Sequence, residues 1–427
     1  MRKKLEGFSR NFWVANTIEL FERFAYYGSK AILAVFVAEQ IGLGSVQATF
    51  IVGTVFNTLL YLLPPLAGTV VDRYGFKKSL LACFSIFCVG YFLIGLGGLP
   101  AGQSIVQAIG PNVYMIVAVV ITAVGGSLIK PSIVGTVART TTSETKGLGY
   151  SIYYTLVNLG GAIGPILALQ VRENIGISYV LVMSSLTSLA LVLATFLFFS
   201  EPERPADAAP QKTMAGVLAD MFKVFTNAKF MSFLIIFSGF WAMFWHIFYA
   251  LPFYVRDVLH FEQFEIIETV DAWTIILVTV PAAALAKKLS PLSAMIVGFV
   301  LASVSWFVMG AFPTLTMTIV AIAVFAVGEA TQAPRYYEYV ADLAPKEQVG
   351  TYMGFAFLPV AFGTFISGIT SGRLVAHYVG ETVDGVFRPG PAFASASHMW
   401  YWVGGIGVAS TVLMIAYDRL VVRRTAD

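Results

Sequence analysis

Twelve apolar stretches, each about twenty residues or longer, set the first limit on what this chain can become. They run approximately over 12–38, 48–71, 78–98, 113–138, 147–171, 178–199, 230–255, 264–286, 291–312, 316–343, 349–376 and 397–420. A helix rising about 1.5 Å per residue needs about twenty apolar residues to cross a bilayer core about 30 Å thick. Inside that core every backbone N–H and C=O must be bonded internally, so each stretch is expected to be a helix. Only 12% of the 427 residues are charged, against about 25% in an ordinary soluble domain. The expected fold class is an all-α membrane protein with 12 transmembrane helices. Pro131, Pro165, Pro334 and Pro359 fall inside the fourth, fifth, tenth and eleventh spans, where bends are expected.

Lys and Arg orient the spans. Of the 27 such residues, Arg23, Lys30, Lys130, Arg335 and Arg373 lie within spans. Arg172, Arg256 and Arg388 fall on one side, and all the others, including those before the first span and Arg423 and Arg424, fall on the other. Cytoplasmic loops carry the excess of positive charge, so both termini are expected inside. No cleavable signal sequence is read in the basic start. The polar stretch Ser200–Gln211 divides six spans from six. The expected domains are residues 1–200, a linker over 201–229, and residues 230–427. Met214, Val217, Leu218, Met221, Phe222 and Phe225 follow helical spacing in the linker, which suits either an amphipathic surface helix or a soluble connector. Residues 378–395 form the longest external loop, in which no site is read.

The first span is also the most charged. At about 100° per residue, Glu19, Glu22, Arg23, Tyr26, Tyr27 and Lys30 share one helix face about 140° wide. Each charge would cost about 2.5–3.5 kcal/mol at the bilayer centre, so the stripe must face a protein-lined, water-accessible cavity and not lipid. Lys130, Asp271 and Glu329 add mid-span charges, with Arg335 and Glu338 further along the tenth span. Ionisable groups at such depth mark a substrate or ion pathway more often than a structural network. Cys83 and Cys88, five apart, suit neither a disulfide nor a metal site. No phosphate-cradling Gly loop with Lys and Ser/Thr is present. No enzyme activity, cofactor, metal site or nucleic-acid partner is expected, and the working unit is expected to be a monomer in the bilayer.

Several motifs carry a resemblance. Gly68, Asp72, Arg73 and Gly75, followed by Lys77 and Lys78, resemble the loop between helices 2 and 3 of major facilitator transporters. The resemblance implies a gating role for Gly68, Asp72, Arg73 and Gly75. Glu19-x-x-Glu22-Arg23-Phe24-x-Tyr26-Tyr27-Gly28 resembles the helix 1 signature of the proton-dependent oligopeptide transporter family. Tyr61, Gly125-Gly126-x-x-x-Lys130-Pro131, Tyr153-Tyr154-x-x-x-Asn158-x-Gly160, Gly328-Glu329-x-x-x-x-Pro334, Leu343-Ala344-Pro345 and Met353-Gly354 extend it over most of the chain.

The resemblance implies a major facilitator fold of two six-helix bundles. It implies protons as the coupling ion, with Glu19, Glu22, Arg23, Lys130, Asp271 and Glu329 as coupling candidates. It implies a substrate site drawn from Arg23, Tyr26, Tyr27, Lys30, Tyr61, Lys130, Asn158, Trp245, His246 and Glu329, in which Glu329 meets the substrate amino group. This chain also departs from the family. Lys30 stands where an arginine is usual, and Trp245 and His246 stand where an acid and a glutamine are usual. Asp271 replaces an asparagine, and Ala356 a tryptophan. His246 has two readings, a proton-coupling group or a hydrogen-bonded core histidine. The helix 7 aromatics are either a cage over substrate or ordinary packing.

The expected function is proton-coupled import of a small zwitterionic or anionic solute, a di- or tripeptide or something peptide-like, across the plasma membrane, expected to be a bacterial inner membrane. The alternatives are a proton/solute antiporter exporting drugs or metabolites, and a non-transporting receptor or scaffold.

Overall fold

A computed structural model describes residues 7–142, 144–203, 213–344, 349–383 and 385–422. Arg2, Lys3, Lys4, Arg204, Lys212, Lys346, Arg423 and Arg424, used above for orientation, lie outside the described residues, as do Pro345 and most of the polar linker. The helices are α1 (Arg10–Val35), α2 (Gly44–Leu62), α3 (Pro64–Tyr74), α4 (Phe76–Gly97), α5 (Pro100–Ile109), α6 (Pro111–Ser127), α7 (Ile129–Arg139), α8 (Lys146–Asn174) and α9 (Ile177–Phe198). They continue as α10 (Met214–Phe225), α11 (Ala228–Tyr249), α12 (Leu251–Asp257), α13 (Phe264–Ala286), α14 (Pro291–Ala311), α15 (Leu315–Leu343), α16 (Val349–Gly354), α17 (Leu358–Leu374) and α18 (Met399–Tyr417). Eleven helical segments among the described residues are long and apolar enough to cross a membrane. The remaining span of the sequence, α1, is 26 residues long but carries five charged residues, Arg10, Glu19, Glu22, Arg23 and Lys30.

Prolines account for the breaks. The chain steps out of helix at Leu63 before Pro64, at Leu128 before Pro131, at Ala250 before Pro252, and through a tight turn at Phe355–Phe357 before Pro359. Proline has no N–H to donate four residues back, and its ring crowds that carbonyl. Pro165 and Pro334, also expected to bend their spans, lie inside single helices.

The chain forms two compact units, Met1–Ile32 with Leu62–Ala219, and Leu33–Tyr61 with Asp220–Asp427. In the first unit α4 is the hub, packing on α6 and α9. Glycines let α1 meet α8 at backbone distance: a Cβ on Gly164 would lie 2.8 Å from the Phe24 carbonyl oxygen, and one on Gly28 would lie 3.0 Å from that of Gly164. Small residues at such spacing permit close helix contact where there is no hydrophobic drive to bring helices together. Two tight pairs organise the second unit, α14 with α15 and α11 with α17. There α2 approaches α17 as closely, since a Cβ on Gly53 would lie 2.5 Å from the Gly368 Cα.

The segment 378–395 departs from the expected plain loop. It folds as an antiparallel hairpin, β1 (Gly380–Val383) with β2 (Val386–Pro389). The Glu381 carboxylate accepts from the Ser45 backbone N–H at 2.9 Å and from its hydroxyl at 2.7 Å, pinning the hairpin to the start of α2. Nearby in the chain order, Arg256 of α12 donates to Glu39 through Nη1 at 2.9 Å and again through Nη2, and to Asp257 through Nε at 2.7 Å. Burial works against the guanidinium charge, but the Asp257 and Glu39 hydrogen bonds outweigh it and hold the Arg256 pKa above its ordinary value. In the linker, α10 exposes Met214, Leu218, Phe222 and Phe225.

Candidate functional site

The α1 stripe builds a buried ion cluster in the first unit. Glu19 is 0% exposed, and Glu22, Arg23 and Lys30 are also buried. Arg23 donates through Nε to Glu22 and lies 3.5 Å from Glu19 Oε1. From α7, Lys130 Nζ reaches the same Glu19 oxygen at 3.1 Å and the Tyr153 hydroxyl of α8 at 2.7 Å. The Tyr153 hydroxyl in turn donates to Glu19 Oε1 at 3.3 Å. Two acids and two bases thus share one network of three helices. Lys130 is its most exposed member, with 27% of its side chain open. The second oxygens, Glu19 Oε2 and Glu22 Oε1, accept no hydrogen bond among the described residues. A proton added to either would displace no existing donor.

The fold explains how these side chains meet. The break before Pro131 starts α7 at Ile129, so Lys130 sits in its first turn. Gly160 admits α1: a Cβ there would lie 2.3 Å from the Arg23 Cβ. The phenols of the stripe cover the cations, with Arg23 Cζ 4.6 Å from the Tyr26 ring centre and Lys30 Nζ 5.1 Å from that of Tyr27. Tyr153 was quoted in a motif but not counted among the site residues. Its signal is its place two turns before Gly160, on the same α8 face. Asn158, which was counted, donates to the Tyr154 carbonyl of its own helix at 2.9 Å.

The other site residues fall in the second unit. Tyr61 meets Trp245 edge-on at 5.8 Å, and Trp245 stacks on Tyr249 at 5.4 Å. Asn57 donates to the Tyr249 hydroxyl at 2.7 Å. Trp245 and His246 are buried. His246 Nδ1 lies 2.6 Å from the Ala242 carbonyl oxygen, so Nδ1 carries a proton, and Nε2 faces Thr370 Oγ1 at 3.2 Å. Both ring nitrogens of His246 thus face an oxygen partner. Phe240 and Phe244 pack on Phe325 of α15. Asp271 lies buried on α13 and Glu329 half-buried on α15, two helices in contact. Glu265 and Glu268 are buried on the same α13. Sequence reasoning passed over them, although both fall within the same apolar stretch.

At the end of α3, Gly75 has a φ of +87°, a backbone state that favours glycine. It also leaves room for a carboxylate, since a Cβ on Gly75 would lie 2.8 Å from Glu201 Oε1. Glu201 accepts from the Phe76 N–H at 2.8 Å and the Lys77 N–H at 2.7 Å, sealing the α4 N-terminus. The capping acid there therefore comes from the chain after α9, a partner that the motif by itself did not reveal. Arg73 lies over the Tyr74 ring at 5.6 Å, and the space around Gly68 is open. Among the described residues no group of three or more His, Cys, Asp or Glu is arranged to hold a metal ion.

Long apolar helices around a buried ion cluster define a polytopic membrane protein. The chain belongs to the Major Facilitator Superfamily, whose family model matches residues 17–270 and 262–426. It is distantly homologous to bacterial peptide permeases. Dipeptide and tripeptide permease B of Aliivibrio fischeri strain MJ11 is 29% identical over 186 residues, 43% of this chain and 34% of that protein. Dipeptide and tripeptide permease A of Escherichia coli K12 is 28% identical over 191 residues, 44% of this chain and 35% of that protein. The matched part thus spans about a third of the length of these curated relatives. A POT family transporter solved in complex with 5-aminolevulinic acid superposes with a TM-score of 0.76 at 15% identity, over 96% of each chain. Another, from work on substrate recognition in proton dependent oligopeptide transporters, gives 0.73 at 18% identity, over 97% of this chain and 99% of that one. These likenesses show the fold.

Proposed function

We propose that this protein is a proton-coupled symporter that imports a small zwitterionic or anionic solute, peptide-like in chemistry, by alternating access. The observation that carries the reading is the buried cluster in which Glu19 is held by both Lys130 and Arg23, and Arg23 also by Glu22. Each base in it is occupied by an acid, and each acid keeps one oxygen able to take a proton. Protonation of Glu22 or Glu19 weakens its hold on Arg23 or Lys130. The released cation then meets a substrate carboxylate. Loss of the proton on the other side restores the ion pair and expels the solute. One charge moved through about 100 mV is worth about 2.3 kcal/mol, enough for a gradient of about 50-fold.

In this reading Tyr26, Tyr27, Lys30, Tyr61 and Asn158 line the path, with Trp245, His246, Asp271 and Glu329 contributed by the later helices. The bundles 1–200 and 230–427 rock about the linker 201–229, and Gly68, Asp72, Arg73 and Gly75 take part in gating. The protein works as a monomer with both termini in the cytoplasm, in a bacterial inner membrane. The peptide permeases among its relatives, and the transporter solved with 5-aminolevulinic acid, support a substrate carrying both an amine and a carboxylate.

The test is uptake of dialanine, trialanine and 5-aminolevulinic acid into proteoliposomes under an inward proton gradient. Uphill accumulation is expected from the wild type. Glu22→Gln is expected to lose it while keeping counterflow. Full proton-driven accumulation by Glu22→Gln overturns the coupling assignment, and proton-driven export overturns the direction.

A further inference from the structure

An open groove of about 520 Å³ runs between α17 and α18 in the second unit. One wall is a single face of α17 and of the π-helical turn Val375–Val379 that follows it, formed by Thr370, Arg373, Leu374 and His377. The other is Trp402 and Ile406, one turn apart on α18. Glycines turn the opposite face of α17 toward α2, where a Cβ on Gly372 would lie 2.4 Å from Thr49 Oγ1. The groove therefore faces away from the α2 contact. Its floor is tied to α11 through Thr370 and His246 Nε2 at 3.2 Å.

The groove changes character along its length. Leu374, Ile406 and the indole of Trp402 give it an apolar wall, and Trp402 is 64% exposed. At the end where the hairpin begins, Trp402 Nε1 donates to the Tyr378 hydroxyl at 2.9 Å. Exposed Trp and Tyr at the end of a spanning helix mark the membrane–water interface. Arg373 lies one turn inside that level, exposed to the groove, and has no hydrogen-bonding or ion-pair partner among the described residues. His377 adds a second nitrogen-bearing side chain, and none of the groove-lining residues is acidic. A guanidinium at this depth is costly unless an anion meets it, and its planar fork matches phosphate oxygens in pairs.

We propose that this groove is a binding site for one anionic phospholipid of the leaflet on the hairpin side. Its phosphate pairs with Arg373 and is bordered by His377 and Tyr378, while an acyl chain lies along Leu374, Ile406 and Trp402. Cation, aromatic belt and apolar channel follow one another in the order in which a phospholipid presents phosphate, glycerol and chain.

The test is native mass spectrometry of the purified full chain with equimolar phosphatidylglycerol and phosphatidylcholine. The wild type is expected to retain phosphatidylglycerol preferentially. Arg373→Gln is expected to lower that retention by about five-fold, while Arg388→Gln, a hairpin arginine outside the groove, leaves it unchanged. Arg373→Lys keeps the preference, and Trp402→Ala lowers retention of both lipids. Should Arg373→Gln fail to fold, Arg373→Lys and Trp402→Ala carry the test. Equal retention of the two lipids by the wild type overturns the site, as does an unchanged preference in Arg373→Gln. Displacement by equimolar inorganic phosphate assigns the groove to a free anion and also overturns the lipid.

Discussion

Gly160 of α8 lies against Arg23 of α1, so closely that a Cβ on Gly160 would come within 2.3 Å of the Arg23 Cβ. The buried cluster around Glu19 depends on this approach, because Tyr153 reaches Glu19 from the same helix. Gly160→Ala is expected to destabilise the fold by about 1–3 kcal/mol through overpacking and to abolish proton-driven uptake. Gly405→Ala, where the added methyl meets open space, should change neither. Thermal unfolding in detergent, read beside uptake, checks both variants.

Tyr153→Phe removes a hydroxyl that accepts from Lys130 and donates to Glu19. Little packing is lost, so the expected effect is on coupling. Loss of about 1.4 kcal/mol would slow proton-driven uptake about tenfold, while counterflow persists. An equal loss of both modes would assign Tyr153 to scaffolding.

Lys130→Gln leaves the fully buried Glu19 with one cation fewer. Breaking a buried pair from one side costs about 3–5 kcal/mol. The double variant Glu19→Gln with Lys130→Gln is expected to regain most of the thermal stability and none of the proton-driven accumulation. A double-mutant cycle on the unfolding midpoint measures the pair directly.

Glu201→Ala strips the acceptor from the first two N–H groups of α4. A lost cap of this kind is worth about 1 kcal/mol. Gly75→Ala is expected to cost more, since it both crowds Glu201 and forces a side chain into a positive φ. Comparison of the two unfolding midpoints tests that order.

Arg256 carries the pH prediction. Its pKa is raised in the folded protein. A raised basic group contributes stability that is complete below its unfolded pKa, which for arginine lies far above neutral pH, and is lost only as pH climbs through the higher folded value. From the arginine side, the penalty of Arg256→Gln should therefore be level between pH 6 and 9, at about 1.5–3 kcal/mol. Unfolding midpoints of wild type and variant across that range check it, and a penalty that fades by pH 9 would contradict the assignment.

Much of the membrane architecture was legible because lipid imposes a simple rule. Apolar runs of span length, separated by polar turns, can only be helices, and charges inside them must find protein. Helix 1 was readable for the same reason, since a period of 3.6 puts Glu19, Glu22 and Arg23 on one face wherever that helix packs. The hairpin at 380–389 was passed over because span counting ignores short turn signals; Asp384-Gly385 between apolar neighbours is such a signal. Glu265 and Glu268 were not legible as buried acids because they fall in the first turns of their helix, where an acid can equally face water. His246 allowed two readings, since a lone histidine in an apolar run does not announce its partners; Ala242 and Thr370 are what the fold supplied.

By itself the sequence determined the helices, their breaks before Pro131 and Pro359, and the presence of acids and bases that lipid would not tolerate. These follow from local chemistry: hydropathy, helical period and the missing N–H of proline. Only the tertiary structure decided the partners. It assigned Lys130 and Tyr153 to Glu19, Glu201 to the start of α4, and Glu381 to Ser45, pairings that bridge from 111 to 336 positions along the chain. Ion pairs and caps are set by distance in space, which a linear pattern does not encode. Glycines such as Gly160 and Gly28 set that distance here, by allowing one backbone to touch another.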